Sequence, residues 1–377
     1  MRTCLRSVGR AHSRVQRAFP SLQRTPQSSE TCSGSRSVSA KAMTETAVFL
    51  EEIAVSQTPK RLQGLMRVLE ARGGSSLSPA DRRGLHPLLV PLSAQGEEVT
   101  CLLRWPEPSQ YKNMTLPVVR MTRGSVGVTL VARSVDEYLH RLLAEEDVVA
   151  TAVAASGAAA PERPLAAAAG PDAEGLFRSG DVAASRPAAG GSGSASQGLA
   201  MYLIRKAGMF PDVCEGLATA HMARTDPTSA MVAAEWYMRS GHFPGWARPY
   251  EFAAELFTQL GRHEEARDMA RASLRLPWWT LRAPFAQVSA TAVLPHSAER
   301  VMYLLSEEAA AAASANVNQF SHREPKTAKQ LALERANSLM NRVVAGDLES
   351  YDSIREQLAE TYREAGLSDV ANFIQAA

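Results

Sequence analysis

The sequence contains few cysteines, and their positions exclude two classes of small cross-linked fold. Four occur in 377 residues, and Cys4 and Cys32 lie within the first 40 positions. Cys101 and Cys214 remain, and they are too far apart in the chain for a zinc ribbon or a disulfide scaffold. We expect two buried thiols and no metal site.

Long apolar runs are also missing. A helix that spans a membrane needs about 20 consecutive apolar residues. The longest run here, VVATAVAASGAAA at 148–160, is shorter and consists mostly of alanine. We therefore expect no membrane span.

Catalytic motifs are absent too. The eight histidines show no metal-ligand spacing, and no Walker, dinucleotide or nucleophile-elbow motif occurs. Glu264 and Asp268 would share one helical face, a pattern typical of solvated surface. The sequence predicts a protein that is not an enzyme and that uses no cofactor or metal. An unrecognised site in the N-terminal half is the less favoured, enzymatic alternative.

Acidic residues are almost absent from the first 40 positions, where seven arginines accompany a single acid, Glu30. The rest of the chain has 34 basic and 38 acidic residues, a net charge of −4, whereas the whole sequence carries +2. Non-specific binding of nucleic acid needs a basic surface, so we expect no nucleic-acid partner.

The arginine-rich start has the features of an organellar transit peptide, which is amphipathic, rich in serine and poor in acids. Five arginines at spacings of three or four would share one helical face: Arg2, Arg6, Arg10, Arg14 and Arg17. Val38-Ser39-Ala40 resembles the Val-x-Ala cleavage site of green-algal chloroplast leaders. We predict a transit peptide over 1–40 and import into the chloroplast stroma, with the mitochondrion as the alternative.

Residues 41–149 predict a small α+β module. Thr58 and Pro59 are typical of a helix start, and an apolar i, i+3, i+4, i+7 pattern follows them. Three short segments rich in β-branched residues occupy 97–132, and residues 122–125 suit a hairpin turn. Ser134 and Glu137 then form a capping box for a second helix.

Residues 150–198 are rich in alanine, glycine, serine and proline and have almost no large apolar side chain. Such a segment buries too little surface to offset the entropy of ordering it. We predict a disordered linker here.

The sequence from 199 to 377 has a helical pattern throughout, with glycines and prolines at the predicted ends. Residues 247–277 fit the 34-residue tetratricopeptide pattern, in which small residues let two antiparallel helices approach closely. The preceding hairpin fits less well. The predicted fold is mostly α, a tetratricopeptide-like helical-hairpin domain preceded by the small α+β module.

Four segments carry a resemblance to a family of plant and algal plastid proteins with a tetratricopeptide-like helical domain. They read ARSVDEYLHRLLAEED, YLIRKAGMFPDVCEGLA, FPGWARPYEF and LRLPWWT. The resemblance covers most of 97–377 and implies plastid import and a helical domain, but no reaction.

In a tetratricopeptide array the first helix of each hairpin lines a groove that holds a partner. Six residues occupy the corresponding positions here: Asp212, Glu215, Thr219, Arg248, Glu251 and Glu255. Because carboxylates dominate, we expect a basic or polar partner segment. Trp246 lies in an aromatic-rich stretch at 236–279 and is predicted to anchor the interface.

These observations predict a non-catalytic adaptor in the chloroplast that assists assembly or stability of a protein complex. The alternative is a stoichiometric structural subunit of a large organellar complex, in either organelle.

Overall fold

The computed structural model describes residues 34–107, 116–156, 162–185, 195–239, 241–315 and 326–376. Residues 1–33 of the predicted transit peptide lie outside the described residues. Helix α1 begins at Gly34 and continues through Val48 into a π-helical turn that ends at Ile53, so it crosses the predicted cleavage point.

The N-terminal part of the chain forms an antiparallel sheet whose five strands pair in sequence order. These strands are β1 (Ser75–Ser76), β2 (Leu89–Gln95), β3 (Glu98–Leu103), β4 (Val118–Thr122) and β5 (Thr129–Ala132). The sequence predicts β3, β4 and β5 but not the first two. Strand β2 buries five consecutive residues and contains Pro91 at a shift in register, so it lacks the alternation that marks a half-exposed strand.

Two local signals are confirmed. The Ser125 N–H donates to the Thr122 carbonyl at 3.0 Å and closes the hairpin turn between β4 and β5. The Ser134 hydroxyl accepts from the Glu137 N–H at 3.1 Å and caps helix α3 (Val135–Ala155). The Glu137 carboxylate pairs with Arg133 and does not complete the box. Thr58 does not cap the next helix, because α2 (Leu62–Ala71) begins four residues later.

The remaining helices follow in order. Those of the middle of the chain are α4 (Pro164–Ala169), α5 (Asp181–Ala184), α6 (Ala195–Tyr202), α7 (Pro211–Ala223), α8 (Pro227–Met238), α9 (Arg248–Gln259) and α10 (His263–Leu274). The last five are α11 (Phe285–Thr291), α12 (Ala298–Ala315), α13 (Ala328–Ala345), α14 (Tyr351–Glu364) and α15 (Ser368–Gln375). Short connections make hairpins of α7 with α8 and of α9 with α10.

Part of the segment predicted to be a disordered linker is folded in the structure. Residues 162–185 fold against α2, where Arg67 donates to the carbonyls of Ala168 and Ala169 and to the Asp172 carboxylate. Gly64 makes this approach possible, because a Cβ atom there would lie 2.5 Å from Asp172. Residues 157–161 and 186–194 of the linker lie outside the described residues.

Helix α3 holds both ends of this segment. Its Asp147 is 1% exposed and accepts from the Gly180 N–H at 3.1 Å, and it pairs with Arg163 at 2.5 Å. Charged side chains on α2 and α3 thus hold the alanine-rich segment, and its Ala169 and Val182 are buried in the hydrophobic core.

The sheet and the helical region share one hydrophobic core. A single cluster of buried residues extends from Met43 through the sheet to Ile374, while a smaller cluster lies between α9 and α12. Buried arginines join the two ends of the chain: Arg82 donates to the carbonyls of Leu89 and Phe373, and Arg104 pairs with Asp369 at 2.5 Å. The predicted module therefore does not fold around a core of its own.

In the part of the chain that the structure describes, no helix is long and apolar enough to cross a bilayer.

Candidate functional site: an arginine–carboxylate cleft

A cleft of about 530 Å³ lies where the sheet meets the helical hairpins. Strand β5 and helix α3 form one wall, and the N-terminal ends of α7 and α9 with residues 280–282 form the other. Its volume lies within the range of sites that hold small ligands or a few side chains of a partner.

Arg141 fixes the first ion-pair group in the cleft. It extends from α3 and donates to both carboxylate oxygens of Asp212 at 2.7 and 2.6 Å, and to Glu145 at 2.7 Å. Burial alone would raise the pKa of Asp212, but the hydrogen bonds and positive charge of Arg141 outweigh it and lower this pKa. The pair joins the N-terminal region to the first hairpin.

Arg248 fixes the second group. It donates to Glu215 at 2.8 and 3.0 Å and to Glu255 at 2.6 Å, and it lies 3.3 Å from Glu251. The Tyr237 hydroxyl donates to the same Glu215 carboxylate at 3.2 Å. Arg248 therefore connects α7 to α9 across the hairpins.

Glu251 is only 2% exposed, and it has a structural role. Its carboxylate accepts from the backbone N–H groups of Arg282 and Ala283 at 2.9 and 2.6 Å. Burial raises the pKa of Glu251, and the attraction of Arg248 offsets part of that increase. The carboxylate thus holds the chain that leads into α11.

The structure brings together some of the predicted partner-binding residues. Asp212, Glu215 and Arg248 line the cleft, whereas Glu251 and Glu255 line a second hollow of about 250 Å³ between α9 and α11. Thr219, also on the predicted face of α7, lines neither.

The predicted groove face is less acidic in the structure than the sequence pattern indicated. Each of its four carboxylates has an arginine partner, and Glu215 has a second one in Arg282 at 3.1 Å. The sequence pattern covered only the first helices of the hairpins. Arg141 and Arg282 come from outside that pattern, so their charges were missed.

Trp246 is a core residue and not an exposed anchor. It is 2% exposed, and its ring packs edge-on against Trp105 and Trp279 at centroid distances of 6.1 and 5.7 Å. The aromatic side chains of residues 236–279 therefore pack at the junction of the sheet and the helices, because large rings fill the space between them.

The residues that sequence reasoning missed are arginines. Besides Arg141 and Arg282, the cleft is lined by Arg72 after α2 and by Arg120 on β4. No motif could have revealed them, since the four lie in different elements and meet only in the folded chain.

The cleft is lined by neither of the described cysteines. Within the described ranges, no three histidine, cysteine or acidic side chains are placed to hold a metal ion. Both described cysteines are buried, and burial raises the pKa of Cys214 to about 12. A buried thiol with that pKa remains protonated near neutral pH.

Comparison with known proteins covers nearly the whole described chain. Three family models match in succession: PAB N-terminal over residues 44–206, PAB middle domain over 211–298 and PAB C-terminal domain over 301–377. The middle match begins at the first residue of α7 and spans both hairpins and α11.

A protein of Arabidopsis thaliana, named Protein IN CHLOROPLAST ATPASE BIOGENESIS, chloroplastic, is 33% identical over 327 residues. The alignment covers 86% of this chain and 89% of the relative, and no solved structure matches. The relative is a plant plastid protein, as the sequence resemblance implied. Since the successive matches extend from residue 44 to residue 377, the chain belongs to the PAB family.

Proposed function

We propose that this protein is a chloroplast assembly factor that assists biogenesis of the ATPase and does not act as an enzyme. The observation that carries the proposal is the 33% identity to the Arabidopsis relative along most of both chains. The arginine-rich, acid-poor start supports import into the plastid, with the stroma as the proposed compartment.

The geometry supports protein binding as the mode of action. The cleft is open, polar and lined by charged groups from several elements, and an assembly factor must hold a client and then release it. Contacts between partly exposed charges are individually weak, and they give specificity and fast exchange more than affinity. The client we propose is therefore a protein bound transiently.

We propose that α7 to α10 are two tetratricopeptide-like hairpins that form one wall of this site. Small buried residues at the helix contacts support this interpretation: Ala218, Ala230, Ala234, Ala253, Ala266 and Ala270. The preference for a basic client segment is not retained, because the carboxylates on which it rested already have arginine partners.

Complementation tests the proposal. The chain is expressed in an Arabidopsis line that lacks the relative, and assembled chloroplast ATPase is measured on native gels. We expect the amount of ATPase to rise toward the wild-type level. Normal accumulation of the chain in chloroplasts without any gain in ATPase would rule the proposal out.

The alternative of a stoichiometric subunit predicts a different outcome on the same gels. A subunit would migrate with the complete complex in a fixed ratio, whereas an assembly factor would migrate apart from it. A tagged chain found only in mitochondria would favour the other organelle.

A further inference from the structure

The arginines that line the cleft fall into two sets. In Arg141 and Arg248, every guanidinium nitrogen donates to a carboxylate. Both side chains are therefore fixed, and they belong to the wall of the cleft.

The other three arginines have spare donors. Arg120 uses Nε and Nη2 on Glu98 and Tyr138, and Arg282 uses Nη1 alone, on Glu215. The Arg72 guanidinium has no hydrogen-bond or ion-pair partner among the described residues, although the backbone of Arg72 bonds Val68 and Gln95. A guanidinium carries five N–H groups in a planar fork that matches a carboxylate. The cleft thus presents several donors with no protein acceptor.

Acceptors in the cleft are partly engaged. The four carboxylates that line it each have an arginine within 3.2 Å: Glu98, Glu145, Asp212 and Glu215. A basic ligand would have to compete with these arginines for the carboxylate oxygens, whereas an acidic ligand finds N–H groups with no acceptor among the described residues. The balance of donors and acceptors therefore favours a negatively charged occupant.

We propose that this cleft binds an acidic segment of the client protein, whose Asp and Glu carboxylates are held by Arg72, Arg120 and Arg282. The proposal rests on the proposed function, because it names the chemistry of the client that an assembly factor would hold.

The net charge of the chain and the exposure of the arginines favour binding of an acidic segment at the cleft. The chain beyond residue 40 has a net charge of −4, so its surface as a whole repels acidic peptides. Side-chain exposure rises from 36% at Arg120 to 61% at Arg282, which leaves the spare donors within reach of a partner.

The test uses the full chain and a labelled peptide of alternating glutamate and serine, with fluorescence anisotropy as the measurement. Matched peptides carry glutamine or lysine in place of glutamate. We expect the glutamate peptide alone to bind, and its Kd to rise at least about tenfold in the Arg72→Gln/Arg282→Gln double variant. Arg267→Gln/Arg363→Gln, which removes two exposed arginines outside the cleft, should leave the Kd unchanged.

Three outcomes would overturn the proposal. The first is equal binding of the glutamine peptide, and the second is full binding by the double variant. The third is binding of inorganic phosphate that requires Arg72 and Arg282 while the glutamate peptide does not bind, which would make the cleft a small-anion site.

This result and the proposed function can fail separately. Failed complementation by the unaltered chain refutes the function and leaves the peptide measurement standing. If the double variant has lost peptide binding but restores the ATPase fully, the function stands and the acidic-client proposal fails.

Discussion

Two groups of arginines in this protein differ in whether their guanidinium nitrogens all have acceptors within the chain. Arg82, Arg104 and Arg355 lie between the sheet and the last two helices, and each of their nitrogens donates to a carbonyl or carboxylate of the chain. In the cleft, Arg72, Arg120 and Arg282 leave nitrogens without such an acceptor in the part of the chain that the structure describes.

The difference separates stability from recognition. An arginine that is buried with all nitrogens engaged cannot reach a ligand, and its removal leaves buried acceptors unpaired. An arginine with spare donors at a cleft loses little when it is replaced, and it remains able to bind a partner. Substitutions in each group, and in the residues that they contact, test this division.

The strongest effect on folding should come from Phe373→Ala. Phe373 is fully buried, packs on Phe49 and stacks under the Arg82 guanidinium at 4.0 Å. Removal of such a ring costs about 3–5 kcal/mol of unfolding free energy, because a cavity remains. Urea denaturation measures the loss, with Asn372→Ala, a change at the exposed neighbour, as the control. A loss below about 1 kcal/mol would mean that α15 is not part of the core.

Arg82→Met should be the next most damaging change. It leaves the buried carbonyls of Pro87, Leu89 and Phe373 without a donor, at about 1 kcal/mol or more each. We expect a loss of about 3 kcal/mol in urea denaturation. Arg83→Met, at the exposed adjacent position, should cost almost nothing. Equal stability of the two variants would show that the hydrogen bonds of Arg82 do not stabilise the fold.

Asp212→Asn should have a small effect that depends on pH. Burial would raise the pKa of Asp212, but Arg141 lowers it overall, so the ionised form favours the folded state. That stabilisation is present above the unfolded-state pKa of about 4 and is lost as pH falls through the lower folded pKa. The carboxylate is 54% exposed, so we expect about 0.5 kcal/mol at pH 7.

Urea titrations of wild type and Asp212→Asn at pH 7 and pH 3 measure this difference. It should shrink at the lower pH. A difference that grows with acid would mean that the charged pair does not support the fold.

The Arg72→Gln/Arg282→Gln double variant should change the unfolding free energy least, by less than about 0.5 kcal/mol. Both side chains are exposed, and of the two only that of Arg282 has a partner among the described residues. Thermal unfolding beside wild type checks this. A loss as large as that of Arg82→Met would show that these arginines serve the fold.

Sequence patterns revealed the helices and not the sites where they meet. Helices α7 to α15 were predictable because prolines and glycines mark their ends and apolar spacing marks their buried faces. The pairs that line the cleft and join distant parts of the chain were not, since Arg141 meets Asp212 across 71 positions and Arg82 meets Phe373 across 291. Residues 162–185 illustrate the same limit, because their composition does not show that Arg67 and Asp147 will hold them.

The tetratricopeptide pattern assigned Asp212, Glu215, Arg248, Glu251 and Glu255 to one groove, and the first three of them line the cleft. It could not give the charge of that site, because the opposite wall comes from α3 and β5.

Photo-crosslinking from the cleft tests whether it binds an acidic segment of an ATPase subunit. A benzophenone amino acid replaces Thr129, an exposed residue of β5 in the cleft, and the purified protein is irradiated in chloroplast extract. Mass spectrometry should identify adducts with an ATPase subunit at a segment rich in aspartate and glutamate, and none from the same group at Val232, which is 61% exposed outside the cleft. The same ATPase adducts from both positions, or adducts from Thr129 only at basic segments, would contradict the account.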